Sequence, residues 1–121
     1  MNTAQKGAHR ERRTRARLVD DGYEVLRSAA SKSCIDLLGI KGPQILMIQV
    51  KSGVMSRVTA AEWNELYRLA SGCGAVPLVV LYEDRRPATW WRITGPRLGD
   101  GRRSPCVPFV LDEVAASAAA G

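Results

Sequence analysis

Residues 44–83 constrain the fold more than any other part of the chain. Two dense β-forming runs, "QILMIQVKS" and "AVPLVVLYE", flank a single amphipathic segment, "VTAAEWNELYRLASGCG". In that segment Thr59 is followed three residues later by Glu62, the spacing of a capping box. Ala60, Trp63, Leu66, Tyr67 and Ala70 then recur at helical spacing, and Gly72 or Gly74 supplies a stop. A strand, a helix and a strand in this order close by a right-handed crossover and pair in parallel. Strands so placed are covered on both faces, which accounts for the apolar density of the second run. Pro77 belongs near its first turn, because an interior proline deletes a ladder hydrogen bond.

The flanking sequence extends this unit. "YEVLRSA" (23–29) and "IDLLGI" (35–40) are short strands separated by turns at "SKSC" and "KGP", and with "QILMIQVKS" they form an antiparallel meander. Residues 8–21, "AHRERRTRARLVDD", read as a helix with a thin apolar side of Ala8, Ala16, Leu18 and Val19, stopped at Gly22. Asp20 and Asp21 sit unfavourably at its negative end. "TWWRIT" (89–94) is a fifth strand, "GPRLGDGRRSPCVP" a loop, and "VLDEVAASAAA" a short terminal helix. The expectation is one α/β domain over residues 1–121, a mixed five-stranded sheet flanked by helices in the order α-β-β-β-α-β-β.

Charge narrows the partner. Lysine and arginine number 18 against 12 acids, for a net charge of +6, which points to an anionic partner such as nucleic acid. The first helix sets Arg10, Arg12, Arg13, Arg15 and Arg17 against the single acid Glu11, so an isolated helix would repel itself unless phosphates answer the charge. Lys6, Lys32 and Arg57 extend this basic set, and Arg102 and Arg103 add a pair in the late loop. No apolar run is long enough to cross a bilayer, and "MNTAQKGAHRERR" lacks a secretory core, so a cytoplasmic protein without a membrane partner is expected. The three cysteines, Cys34, Cys73 and Cys106, are scattered and odd in number, which fits free thiols rather than a disulfide framework or a zinc site.

Gln49 and Lys51 have no apolar reason to interrupt a buried strand. Two residues apart, they share one face. If the second and third strands form a hairpin about "KGPQ", Asp36 at the start of one lies opposite them. A carboxylate, an amide oxygen and a backbone carbonyl, here Asp36, Gln49 and Val50, are hard donors of the kind Mg²⁺ takes. Such an ion polarises a phosphodiester, and Lys51 adds a positive point charge. Glu11 is a candidate further ligand. Singly, Asp36 reads as a turn carboxylate and Lys51 as a strand-end charge; it is the grouping that favours a nuclease site.

The run Lys6-Gly7, Glu11, Arg27-Ser28, Ser31, Asp36 and Lys51 resembles the archaeal-type Holliday junction resolvases of the PD-(D/E)xK nuclease superfamily. "KGAHRERR", "GYEVLRSAASKSCIDLLGI" and "ILMIQVKSG" are similar to that group's first helix, hairpin and third strand, in order, and the likeness extends to about Thr94. The resemblance implies a restriction-endonuclease-like core and a homodimer that introduces paired nicks into four-way junction DNA. It implies that Glu11, Asp36 and Gln49 hold Mg²⁺ (or Mn²⁺), that Lys51 is catalytic, and that Ser31 lies near the scissile phosphate. Arg12 and Arg27 match positions of DNA contact or active-site support. The family usually has Glu where this chain has Gln49, although some superfamily members use Gln; losing that charge should lower metal affinity. Two alternatives stand beside the resolvase: a related nuclease for other branched DNA, and a catalytically weak DNA-binding module.

Overall fold

The computed structural model describes residues 2–29, 33–98 and 104–111. The chain begins with helix α1 (Thr3–Asp20), then strands β1 (Glu24–Arg27), β2 (Leu37–Lys41) and β3 (Gln44–Ser52). A 3-10 turn (Met55–Arg57) leads into helix α2 (Ala60–Cys73), followed by β4 (Val76–Tyr82), β5 (Thr89–Ile93) and β6 (Cys106–Pro108). The strands form one sheet in sequence order, antiparallel throughout except for the parallel β3–β4 pair that the α2 crossover imposes.

Period-two alternation sorts the side chains of β4 onto two faces. Val76, Leu78, Val80 and Tyr82 join Leu18 of α1 with Leu37, Leu46 and Ile48 in one core. Val79 and Leu81 join Trp63 and Leu66 of α2, with Val58 and Ile93, in the other. Pro77 is the second residue of β4, as expected, and β4 is buried along its whole length. Trp90 packs toward the first core and Trp91 toward the second, as opposite faces of a strand require. The α2 capping box forms in both directions between Thr59 and Glu62, and the helix ends at Gly74, whose φ of 74° lies in the left-handed region.

Several expectations are corrected. Among the described residues the sheet has six strands rather than five: Cys106–Pro108, within the expected loop, pairs with Ile93, Arg92 and Trp91 at the sheet edge. Helix α1 starts at Thr3, five residues before 8, because Asn2 and Gln5 make a reciprocal capping box (Gln5 N to Asn2 Oδ1 2.8 Å, Asn2 N to Gln5 Oε1 2.9 Å). Its buried side is Thr14 and Leu18, whereas Ala16 and Val19 face solvent. Thr14 reaches the Tyr82 hydroxyl at 2.8 Å while bonding back to the Arg10 carbonyl, so a polar pair substitutes for an apolar contact. The carboxyl end of α1 is relieved by Lys41, whose Nζ donates to the Asp21 carbonyl at 2.6 Å, and by an Arg17–Asp21 pair at 3.7 Å. The expected terminal helix and the pair Arg102 and Arg103 lie outside the described residues, apart from Val110 and Leu111. The three cysteines are free.

Candidate active site

The β2–β3 hairpin builds the centre of the site. Register pairs Leu37 with Ile48, and the ladder runs one step further: the Asp36 N–H donates to the Ile48 carbonyl at 2.8 Å. Asp36 therefore lies beside Gln49, as the hairpin argument requires. Its Oδ2 accepts the Val50 N–H at 2.7 Å. Thus the contact made by Val50, expected as a carbonyl donor, is through its amide, which orients the carboxylate of Asp36. Burial pushes the Asp36 carboxyl up to about 6; the charges of Glu11 and Glu62 push the same way, against the Val50 N–H and Lys51.

Gln49 and Lys51 share the face of β3 turned toward α2, and there they meet a residue assigned only a capping role in the sequence. Glu62 Oε2 accepts from Gln49 Nε2 at 2.6 Å and lies 3.1 Å from Lys51 Nζ. Its Oε1 accepts from Thr59 N at 3.1 Å. These donors hold the Glu62 carboxyl below its usual range despite the opposing effect of burial, which is the largest single influence on it. Gln49 is buried, and its Oε1 has no hydrogen-bond partner. The signal for Glu62 was present in the crossover itself: it returns the chain from the end of β3 to the start of α2, so an acid in the first turn of α2 comes back to Lys51.

Glu11 is not drawn into this group. It faces Arg27, with Nε to Oε1 at 3.5 Å, and acts on Asp36 through space. Ser31 and Lys32 lie outside the described residues. Among the described residues, no three His, Cys, Asp or Glu side chains converge on a point that could hold a metal ion. The donor set is nevertheless suited to a hard divalent cation: it is all oxygen, it includes the Asp36 carboxylate, and the buried carbonyl oxygen of Gln49 is otherwise unsatisfied. A carboxamide carries no charge, so it escapes a count of acids.

The basic residues divide between two flanks. Lys6, Arg10 and Arg13 line clefts of about 580 and 500 Å³ facing the β4–β5 turn; Arg13 borders the first, Arg57 the second, and Lys6, Arg10 and Arg86 both. Arg12, Arg15 and Arg27 border a separate cleft of about 400 Å³ between α1 and β1, together with Glu11. The helix is less self-repelling than its sequence implies. Arg10 is largely buried over the Tyr82 ring and lies 3.5 Å from Asp84, and Arg13 also stacks on Tyr82. Arg85 and Arg86 of the "EDRRP" turn border the first cleft and were not anticipated. No helix among the described residues is long and apolar enough to cross a membrane.

A family model, the archaeal Holliday junction resolvase (Hjc), matches residues 2–104. Among solved structures, the Holliday junction resolvase Hjc of the hyperthermophile Archaeoglobus fulgidus aligns with a TM-score of 0.66 over 86% of this chain and 98% of that one, at 23% identity. The bacterial homing endonuclease I-Ssp6803I aligns with a TM-score of 0.51 over 91% of this chain and 79% of that one, at 14% identity. At these identities the two structures speak for the fold alone. No curated protein matches the sequence. With the family match spanning most of its length and its fold similar to those of a resolvase and a homing endonuclease, the chain belongs to the archaeal Holliday junction resolvase family of endonucleases.

Proposed function

We propose that the protein is a homodimeric, Mg²⁺-dependent endonuclease that nicks four-way DNA junctions symmetrically. The observation that carries this reading is the meeting of Asp36, Gln49 and Lys51 at one end of the β2–β3 hairpin, in a chain of this family. Asp36 and the Gln49 carbonyl oxygen would hold the cation, with the Val50 carbonyl and Glu11 as further donors. When bound, the ion supplies Lewis-acid polarisation of the phosphate and a more acidic water. Mn²⁺ is expected to substitute.

The chain's own groups do the rest. The Val50 N–H fixes one oxygen of Asp36, so the carboxylate presents its other oxygen in a set direction. Lys51 Nζ, held at 3.1 Å from Glu62, is a positive point charge for the charge that develops on a phosphoryl group. Ser31 is proposed to lie near the scissile phosphate, and Lys6, Arg10, Arg12, Arg13, Arg15, Arg27, Lys32 and Arg57 to contact DNA. Phosphate contacts position a substrate without reading its bases, as befits an enzyme that selects shape. A two-fold dimer matches the approximate two-fold symmetry of a junction and would place one site on each of two strands.

The test is cleavage of a synthetic four-way junction in Mg²⁺, beside duplex and single-stranded controls. Paired nicks on the junction alone are expected. Asp36→Asn and Lys51→Ala should each abolish cleavage while junction retardation in a gel persists. Equal cutting of plain duplex would overturn junction selectivity. Gln49 favours one second reading, a DNA-binding module with weakened catalysis; retardation without cleavage in either Mg²⁺ or Mn²⁺ would select it.

A further inference from the structure

We propose that Glu62 is a positioning residue: from the first turn of α2 it fixes which end of the Gln49 carboxamide faces the metal site and holds Lys51 in place. This rests on the reading of Gln49 as an oxygen donor. A carboxamide is nearly symmetric in shape and opposite in polarity at its two ends, so a buried one needs a neighbour to choose its orientation. Glu62 makes that choice. An ionised carboxylate only accepts, so the end of Gln49 that lies 2.6 Å from Oε2 must be the NH₂. The carbonyl oxygen is thereby turned to the opposite side, where it is buried and meets no protein donor.

Two further contacts keep Glu62 from swinging away. Oε1 is committed to the Thr59 N–H at 3.1 Å, and Oε2 is shared with Lys51 Nζ at 3.1 Å. Helix capping alone explains the first oxygen and leaves the second unexplained. Gln49 and Glu62 are thus a matched pair in which the negative charge sits on the helix instead of the strand. A glutamate at position 49 would bring two carboxylates together, so the departure at Gln49 is not an isolated loss that a single Gln49→Glu change repairs.

The decisive variant is Glu62→Gln in the full chain. A glutamine keeps one oxygen for the Thr59 N–H, so the helix cap survives, but it offers an NH₂ where Oε2 stood. The Gln49 carboxamide should then turn over. In the metal-free protein the Gln49 side-chain NH₂ resonances should shift in an amide NMR spectrum, while backbone resonances away from α2 and β3 hold. Affinity for Mn²⁺ alone, measured by calorimetry without DNA, should fall about 10-fold, the scale typical of lost outer-shell partners. The exchange Gln49→Glu with Glu62→Gln rebuilds the hydrogen bond with its polarity reversed and should bring Mn²⁺ affinity back to at least the parent value. Gln49→Glu alone should not. Unchanged Gln49 resonances and Mn²⁺ affinity in Glu62→Gln would overturn the proposal, as would Gln49→Glu alone binding Mn²⁺ more tightly than the double exchange. A parent protein that binds no Mn²⁺ would overturn the metal reading beneath it, a result distinct from a variant that matches a parent which does bind.

Discussion

Asp36 is an acid kept outside its ordinary range by the same burial that makes it useful. Its carboxyl is pushed up to about 6, so in the folded, metal-free protein it holds its proton to a higher pH than in the unfolded chain. Such a group favours folding fully below its unfolded value, about 4, and that contribution is lost as pH rises through the folded value of about 6. Metal-free Asp36→Asn, which cannot ionise and can still accept from Val50 N–H, should therefore exceed the parent in stability at pH 7.5. The expected gain is about 1–3 kcal/mol, shrinking toward zero below pH 5. Urea unfolding in a chelator checks this, and a less stable variant at pH 7.5 would refute it. Asp36, Gln49 and Lys51 were legible in the sequence because alternation along a strand and the register of a tight hairpin are both local rules. Glu62 was masked: the crossover brings the first turn of α2 back toward Lys51, but its spacing from Thr59 fits a capping box completely and left no residual to explain. A carboxylate has two oxygens, and only the tertiary structure shows that the second one is used elsewhere.

At the scale of elements, the approach of α2 to the end of β3 is secured by Arg97. Its guanidinium is buried over the Trp63 ring at 4.3 Å and donates to the Val58 carbonyl, to the Met55 carbonyl at 3.2 Å and to Ser104 Oγ at 2.8 Å. Asn64 grips the Arg97 backbone on both sides, accepting from its N–H at 2.7 Å and donating to its carbonyl at 3.1 Å. Arg97 thus ties the segment after β5 to the turn that launches the helix carrying Glu62. Arg97→Ala should cost about 2–4 kcal/mol in urea unfolding, from lost charge-assisted hydrogen bonds and stacking and from carbonyls left unpaired. Arg97→Lys should recover little, because one ammonium cannot span three acceptors from the position of a planar fork. Full stability in Arg97→Lys would refute the clamp. Nothing local announces such a contact: Arg97 sits in a run of glycine and proline that reads as loop. The same run hid β6, whose three residues follow Pro105 and end on Pro108, show no period and become a strand only because β5 offers an unpaired edge. By contrast the α2 crossover was legible, since capping, helical spacing and two apolar runs all agree.

For the whole molecule, the excess positive charge is organised around the fold rather than along one helix. Arg12 and Arg15 flank the α1–β1 cleft, while on the opposite side of α1 Lys6 flanks both clefts and Arg57 the second. The sequence could not separate these sets, because a helix shows five arginines in order without showing which ones neighbouring strands will cover or pair. The separation predicts a two-flank footprint on junction DNA. Binding of the parent should weaken steeply with salt, each neutralised phosphate adding about 0.9 to the magnitude of the log-log slope on duplex arms. Arg12→Ala with Arg15→Ala should lower that magnitude by up to about 1.8, and Lys6→Ala with Arg57→Ala should do the same independently. Combining the four changes should then add the two reductions, since well-separated sites behave independently. Salt titrations of junction binding from low to moderate ionic strength decide the matter. A parent slope near zero would remove phosphate binding as the reason for the charge. A slope that moves with only one pair would confine the DNA to one flank and leave the opposite clefts without a nucleic-acid role.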